Sequence, residues 1–249
     1  MSEQLAQLRK DQDAYGHEIQ DFWKGDEAFE IIEREDGFID VGTDVKGYFA
    51  EYVDWSPQEQ EGLKHLALGR SLDLGCGAGR VELYLQSLGR EVTGIDNSPL
   101  AIQVCRERGV LDARLLPVAE ITPALGTFSN IIMYGNNWGL MANKKQARRL
   151  LRIFHRMTTP TARIIAETND IYNTSNPLHL AYQAWNRERG RMPGQIRLRV
   201  RCRLHKTPWF DYLMVSKPEL EAILQGTGWQ VLEYIDSQAS QYVAVMGKC

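Results

Sequence analysis

Apolar and polar positions along this chain follow two rhythms. Short apolar runs of strand length stand at 71–75, 92–95, 113–118, 162–168, 229–235 and 241–247, with a further run opening the stretch 128–139. Between them apolar residues recur at helical spacing, as in Val81, Leu83, Tyr84, Leu85 and Leu88. Start and stop signals agree with that rhythm. Ser56-Pro57 with Glu59 opens a helix reaching about Leu68, and Ser98-Pro99 opens one closed by Gly109. A third is predicted over 143–157, and Ser216 with Glu219 opens a fourth that ends at Gly226. Strands alternating with helices predict an α/β, doubly wound, mostly parallel seven-stranded sheet.

Two stretches fall outside that alternation. Residues 1–35 are polar with apolar positions at Leu5, Leu8, Ile19, Phe22 and Trp23, one turn after Tyr15, which predicts amphipathic helices. Segment 31–55 is rich in aromatics. Tyr48, Phe49, Tyr52 and Trp55 suit an N-terminal helical lid over a ligand better than a plug on a sheet edge or an oligomer interface. Residues 171–215 exceed an ordinary crossover. They predict an inserted α+β subdomain with a helix from Pro177 to about Arg189 and strands at 196–204 and 208–215. The chain is thus expected to be one domain, 1–249, with a cap at 1–55, a core at 56–170 and 216–249, and a substrate-side insert at 171–215.

Composition narrows the class. At 249 residues with 24% charged side chains the chain can bury a full core. A net charge of −3 argues against broad binding to nucleic acid or anionic membrane. The cysteines at 76, 105, 202 and 249 have no zinc or C-x-x-C spacing, so no metal is expected. A polar N-terminus and the lack of any long apolar run point to a cytoplasmic protein. The basic side of helix 143–157 (Lys144, Lys145, Arg148, Arg149, Arg152) is expected to face solvent. Alternation puts Arg197, Arg199, Arg201 and Arg203 on one strand face, either paired with carboxylates or, with Arg187 or Arg191, open to an anionic substrate group.

The chemistry concentrates in RSLDLGCGAGRVELYLQSLGREVTGIDNSP, residues 70–99. Gly75, Gly77 and Gly79 follow a strand and open a helix, where a glycine turn lets a ligand lie against backbone N–H groups. Asp96, twenty-one positions after Gly75 at the end of the next strand, is placed to accept from ribose hydroxyls. The dinucleotide fingerprint fails, since Arg80 or Glu82 stands at its third glycine. Asp73, ahead of the turn, would repel a pyrophosphate and suit an ammonium and a sulfonium. S-adenosylmethionine is such a ligand.

These residues resemble the class I S-adenosylmethionine-dependent methyltransferases. LDLGCGAG is similar to that family's first motif and GIDNSP to its second. The resemblance implies a Rossmann-like methyltransferase fold with an antiparallel final strand pair, S-adenosyl-L-methionine as cofactor and S-adenosyl-L-homocysteine as product. It implies a cofactor site of Asp73, Gly75, Cys76, Gly77, Gly79, Asp96 and Asn97, with Tyr134 beside the methionine part. Many members place an acidic or small residue at the adenine after strand 113–118; here Pro117-Val118-Ala119-Glu120 sets no acid squarely at that position, so the backbone at Val118 and Ala119 is expected beside the adenine, with Glu120 as the alternative. FSNIIMYGNNWG, 128–139, stands at the family's fourth motif with Ser129 where an acid is usual, and it carries no N-P-P-Y. Asn136 and Asn137 there either orient the acceptor or hydrogen-bond a turn. His179, Tyr134 and Asn136 are the catalytic candidates. The expected partner is a small-molecule methyl acceptor, on an O, N or C atom, with no nucleic acid or membrane; a homodimer is one option for the assembly. Two other readings stay open: a methyltransferase-like binding protein without catalysis, and an NAD(P)-dependent oxidoreductase.

Overall fold

A computed structural model describes residues 6–42 and 45–249; Leu5 lies outside the described residues. In chain order the N-terminal elements are α1 (Ala14–Lys24), β1 (Ile31–Arg34), β2 (Ile39–Val41) and α2 (Pro57–Leu63). Next come β3 (Ser71–Leu74), α3 (Arg80–Ser87), β4 (Val92–Asp96), α4 (Pro99–Glu107), β5 (Ala113–Leu115) and β6 (Phe128–Met133). They are followed by α5 (Lys144–Arg156), β7 (Thr158–Asn169), α6 (Pro177–Glu188), β8 (Gln195–Cys202) and β9 (His205–Lys206). The chain closes with β10 (Phe210–Leu213), α7 (Lys217–Leu224), β11 (Trp229–Asp236) and β12 (Gln241–Lys248). Seven strands form a mostly parallel sheet in the order β11-β12-β7-β6-β3-β4-β5. β3 with β4, β4 with β5 and β6 with β7 pair in parallel, while β12 runs antiparallel to both β7 and β11. A smaller sheet has the order β10-β8-β1-β2, with β9 paired to β8.

Contacts divide the chain into two compact units. One comprises Met1–Trp55, Arg70–Glu120 and Arg197–Phe210; the other comprises Ser56–Gly69, Ile121–Ile196 and Asp211–Cys249. The N-terminal segment therefore belongs to the unit that carries the glycine turn. Only part of it is helical. Residues 31–41 form the β1–β2 hairpin rather than the expected helical cap, and β1 pairs antiparallel with β8 (Ile31 with Arg201, Glu33 with Arg199). Asp36-Gly37 makes the turn, with Gly37 at φ 87° where a glycine costs least.

In this first unit α1 is fixed to α4 by one buried acid. Asp13 caps α1 by accepting from the Gly16 N–H at 3.0 Å, and its other oxygen accepts from the Ser98 hydroxyl (2.9 Å) and the Leu100 N–H (3.0 Å). Ile19 of α1 packs with Ala78, Ala101 and Val104, and Tyr48 and Phe49 lie against that cluster. Gly16 is required by this joint, since a Cβ there would stand 2.4 Å from both the Asp13 carboxylate and the Ser98 Oγ. Alanine gains about 1 kcal/mol of helix propensity over glycine. The clash with two hydrogen-bonded groups outweighs it at about 3 kcal/mol. Gly16→Ala should therefore lower the melting temperature by about 5 °C in a thermal scan; an unchanged or higher value would mean the joint yields freely.

In the second unit β6 is buried throughout. α5 turns Ala147, Leu150, Leu151 and Phe154 inward, all buried. α2 has the expected capping box of Ser56 and Glu59 but stops at Leu63, short of the predicted Leu68. Beyond it the backbone closes three-residue turns, and buried Asn130 of β6 takes over the next peptide. Its Oδ1 accepts from the Ala67 N–H (2.8 Å) and its Nδ2 donates to the Ala67 carbonyl (3.0 Å). Among the described residues no helix is long and apolar enough to cross a membrane.

Candidate functional site

In the first unit the turn after β3 bends through three left-handed glycines: Gly75 (φ 76°), Gly77 (54°) and Gly79 (83°). The Gly75 and Cys76 N–H groups both donate to the Ile95 carbonyl, at 2.9 and 3.1 Å, which hangs the turn on the end of β4. Asp96 completes the attachment. Its Oδ2 accepts from the Gly77 N–H (3.0 Å) and its Oδ1 from the Ser98 N–H (2.9 Å). Burial pushes the Asp96 carboxyl up to about 6, against the pull of those two N–H groups. The residue stays partly exposed, with acceptor capacity left on both oxygens.

The cradle is narrow. A Cβ at Gly77 would stand 3.0 Å from the Tyr48 ring, and one at Gly79 would stand 2.5 Å from Val110 Cγ2. The predicted lid residue Tyr48 thus lies over the turn, and Tyr52 stacks on Tyr84 at 4.1 Å. Cys76 is buried, its Sγ 3.9 Å from that of Cys105, whose thiol donates to the Gly77 carbonyl. Asp73 is buried beneath the turn instead of facing a ligand openly, and burial raises its carboxyl to about 7. Behind it stands Glu82, fully buried and raised further, first by burial and then by the charge of Asp73. Glu82 enters the sequence pattern only as a residue that breaks the dinucleotide fingerprint, and its burial beneath the turn is not marked locally. The signal was Gly94 in the middle of β4, where any Cβ would meet the Glu82 carboxyl at 2.3 Å.

Two guanidiniums flank the turn, and both rest on rings: Arg80 over Trp55 and Arg108 over Phe49. A cradle without side chains, with a carboxylate at its rim and its neighbouring guanidiniums laid on rings, fits a nucleoside with a cationic tail better than a pyrophosphate. Asn97 is hydrogen-bonded through both its side chain and its backbone. Its Nδ2 donates to the Ala6 carbonyl (3.0 Å) and its own carbonyl accepts from the Leu8 N–H, so it fastens the N-terminal segment. Val118 and Ala119 lie partly exposed in a short turn after β5.

In the second unit β6 is followed by Tyr134, Gly135 and Asn136. The Tyr134 hydroxyl donates to the Glu59 carbonyl at 2.8 Å, bracing α2. Asn136 sits in the left-handed region at φ 66°, unusual for a residue with a side chain. It is held from two sides. Its N–H donates to Glu167 Oε2 (3.0 Å), and its carbonyl accepts from the Tyr212 hydroxyl (2.5 Å). Its side-chain Oδ1 is buried without a hydrogen-bond partner among the described residues. Glu167 and Tyr212 went unnoticed in the sequence, because nothing local marks a strand acid or a distant tyrosine as the support of a turn. His179 stands half-buried on the first turn of α6.

The arginine face of β8 is ion-paired. Arg199 grips Glu33 with two N–H groups (2.8 and 2.9 Å) and lies over Trp209, Arg201 reaches the same carboxylate at 3.2 Å, and Arg203 pairs with Asp21. Arg191 is held by Asp211 at 3.0 Å, and Arg187 lies over Tyr172. Of the two alternatives the sequence left open, Arg199, Arg201 and Arg203 take the paired one.

A family model described as "Methyltransferase domain" matches residues 72–161. Among solved structures, one of an S-adenosylmethionine-dependent methyltransferase from Bacteroides fragilis, in complex with S-adenosyl-L-homocysteine, superposes with a TM-score of 0.83. It is 25% identical, and the match covers 98% of each chain. The CcbJ methyltransferase from Streptomyces caelestis matches at TM-score 0.59 and 16% identity, over 82% of this chain and 98% of its own. An S-adenosylmethionine-dependent methyltransferase from Clostridium acetobutylicum matches at 0.60 and 11%, over 80% and 92%. The latter two speak for the fold alone. Among curated proteins, none matches in sequence.

Proposed function

This chain belongs to the class I S-adenosylmethionine-dependent methyltransferase family, and on that premise we propose that it methylates an O, N or C atom of a small molecule. The observation that carries the reading is the attachment of Asp96 to Gly77, which sets a partly exposed carboxylate at the rim of a side-chain-free turn. Asp96 would hold the ribose hydroxyls, and Gly75, Gly77 and Gly79 leave the backbone open to the ligand. Val118 and Ala119 would flank the adenine through their backbone. Tyr48 would cover the site against water. The cofactor, when bound, supplies an electrophilic methyl group on a sulfonium.

What remains for the chain is to hold an acceptor in line and keep water out. Asn136 suits the first task, because its strained backbone is fixed on both sides and its Oδ1 is left to accept from an acceptor's N–H or O–H. An acceptor that must lose a proton also needs a base, and His179 is proposed for that role. The Tyr134 hydroxyl, bonded to Glu59, is proposed to support the turn.

The reading is tested by incubating the protein with S-adenosylmethionine and separate panels of small amines, phenols and carboxylic acids, with S-adenosylhomocysteine as the readout. Turnover with one small-molecule class, lost in Asn136→Ala, is the expected result. Methylation of protein or nucleic acid, with no panel turned over, would overturn it.

A further inference from the structure

The helix α5 carries an unusual load. Its sequence KKQARRLLRIFHR has six lysines and arginines, with no acid in its first turn or elsewhere. Lys144, Lys145, Arg149, Arg152 and Arg156 are exposed and Arg148 half-exposed, because the apolar residues between them are buried. Arg148 is tied to the Ile223 carbonyl and Arg149 to Gln146. Lys144, Lys145, Arg152 and Arg156 make no ion pair or hydrogen bond among the described residues. Arg199 and Arg201 of β8, and Arg203 just after it, by contrast, have carboxylates.

This arrangement works against the helix that bears it. Like charges recur at i,i+4 (Lys144 with Arg148, Lys145 with Arg149, Arg148 with Arg152, Arg152 with Arg156), and each such pair destabilises. Two lysines also occupy the first turn, at the positive end of the helix dipole, where a carboxylate would stabilise. A local rule broken repeatedly on one exposed face, with no carboxylate partner for Lys144, Lys145, Arg152 or Arg156 among the described residues, is what a binding surface looks like. With six of its positive charges on α5 and a net charge of −3, the rest of the chain stands at −9.

We propose that the exposed face of α5 docks an acidic protein surface. The stripe from Lys144 to Arg156 is about 18 Å long, and its charges recur about 6 Å apart, the spacing of acids at i,i+4 on a partner helix. Other polyanions fit less well. A single-stranded nucleic acid needs exposed aromatics to stack on, and the one aromatic ring of α5 outside its histidine, Phe154, is fully buried. A membrane-surface helix needs an exposed apolar face, and that of α5 is spent on the core of its own unit. The −9 elsewhere would repel a long duplex or an anionic bilayer, whereas a compact acidic partner can engage the helix alone.

The test uses the full chain with three probes at low salt: fluorescent poly-L-glutamate, a 20-nucleotide DNA strand (~20, a length chosen to exceed the stripe), and phosphatidylserine vesicles. Poly-L-glutamate should bind saturably and tightest. The triple change Lys144→Glu, Arg152→Glu, Arg156→Glu should weaken it at least about tenfold, and the milder triple change to Gln by a smaller factor in the same direction. Equal reversal at exposed Lys24, Lys64 and Lys206 should leave it within about twofold, and no variant should alter S-adenosylhomocysteine affinity. The proposal is overturned by equal losses in both triple reversals, by no saturable binding, or by tighter binding of the DNA or the vesicles.

Discussion

Replacing Asp96 by alanine should cost about 2–3 kcal/mol in S-adenosylhomocysteine binding, or roughly 30- to 150-fold in affinity. Two losses add to that figure. The ribose hydroxyls lose a charged acceptor, and hydrogen bonds to charged groups are worth about twice those between neutral ones. The Gly77 and Ser98 N–H groups lose theirs as well, at 3.0 and 2.9 Å, so the turn is no longer held to the end of β4 by a side chain. The Ile95 carbonyl still accepts from Gly75 and Cys76, which keeps the fold and confines the damage to the site. Asp96→Asn separates the two effects. It keeps one acceptor oxygen and should lose less. Calorimetric titration reads both variants; wild-type affinity in Asp96→Ala would place the ligand elsewhere.

The second large effect is loss of stability in mild alkali. Glu18 of α1 and Glu30 just ahead of β1 are both buried in the first unit, and both act electrostatically on Cys202. Burial, then the neighbouring charge of Glu30, raise Glu18 to about 9, and burial raises Glu30 to about 7 against the opposing pull of its hydrogen bond with Glu18, both from an ordinary 4.5. Asp40 adds negative charge beside Glu30, and the nearby Asp21 is paired with Arg203. A raised carboxyl favours folding while it is protonated. The contribution is complete below the unfolded value near 4.5 and disappears as pH rises through about 7 and then about 9. Glu30 alone accounts for on the order of 3 kcal/mol. The melting temperature should fall by about 10 °C between pH 6 and pH 9. Asp73 and Glu82 act in the same direction, so the diagnostic is Glu18→Gln, which should flatten much of that slope. An unchanged slope in the variant would assign the effect to the acids beneath the turn.

How much of this was legible in the sequence depends on how local the cause is. The glycine turn and Asp96 were legible because a left-handed backbone and a strand-end acid are fixed by single residues at set spacing. The capping boxes at Ser56 and Ser216 were legible for the same reason, each needing only four residues. The β1–β2 hairpin was hidden in a stretch read by its aromatics, although Asp36-Gly37 marks its turn, because its main partner β8 comes from the far end of the chain. Alternation correctly put Arg199 and Arg201 on one face, while their partner Glu33 could not be foreseen. Residue type alone does not show which distant group a polar side chain bonds. Asn97 ties down the N-terminal segment and Tyr134 braces α2, both choices made by distant backbone carbonyls. The buried pair Glu18 and Glu30 was invisible for a related reason: an acid on an amphipathic helix reads as solvated until the fold closes over it.

The central claim is that the turn at Gly75–Gly79 and Asp96 form a nucleoside-sulfonium site. It is tested most directly by calorimetric titration of folded, ligand-stripped protein with S-adenosylhomocysteine, with NADH as the comparison. The account predicts one-to-one binding at micromolar affinity for the first and no binding for the second. No heat from S-adenosylhomocysteine in a sample that melts cooperatively, or tighter binding of NADH, would contradict it.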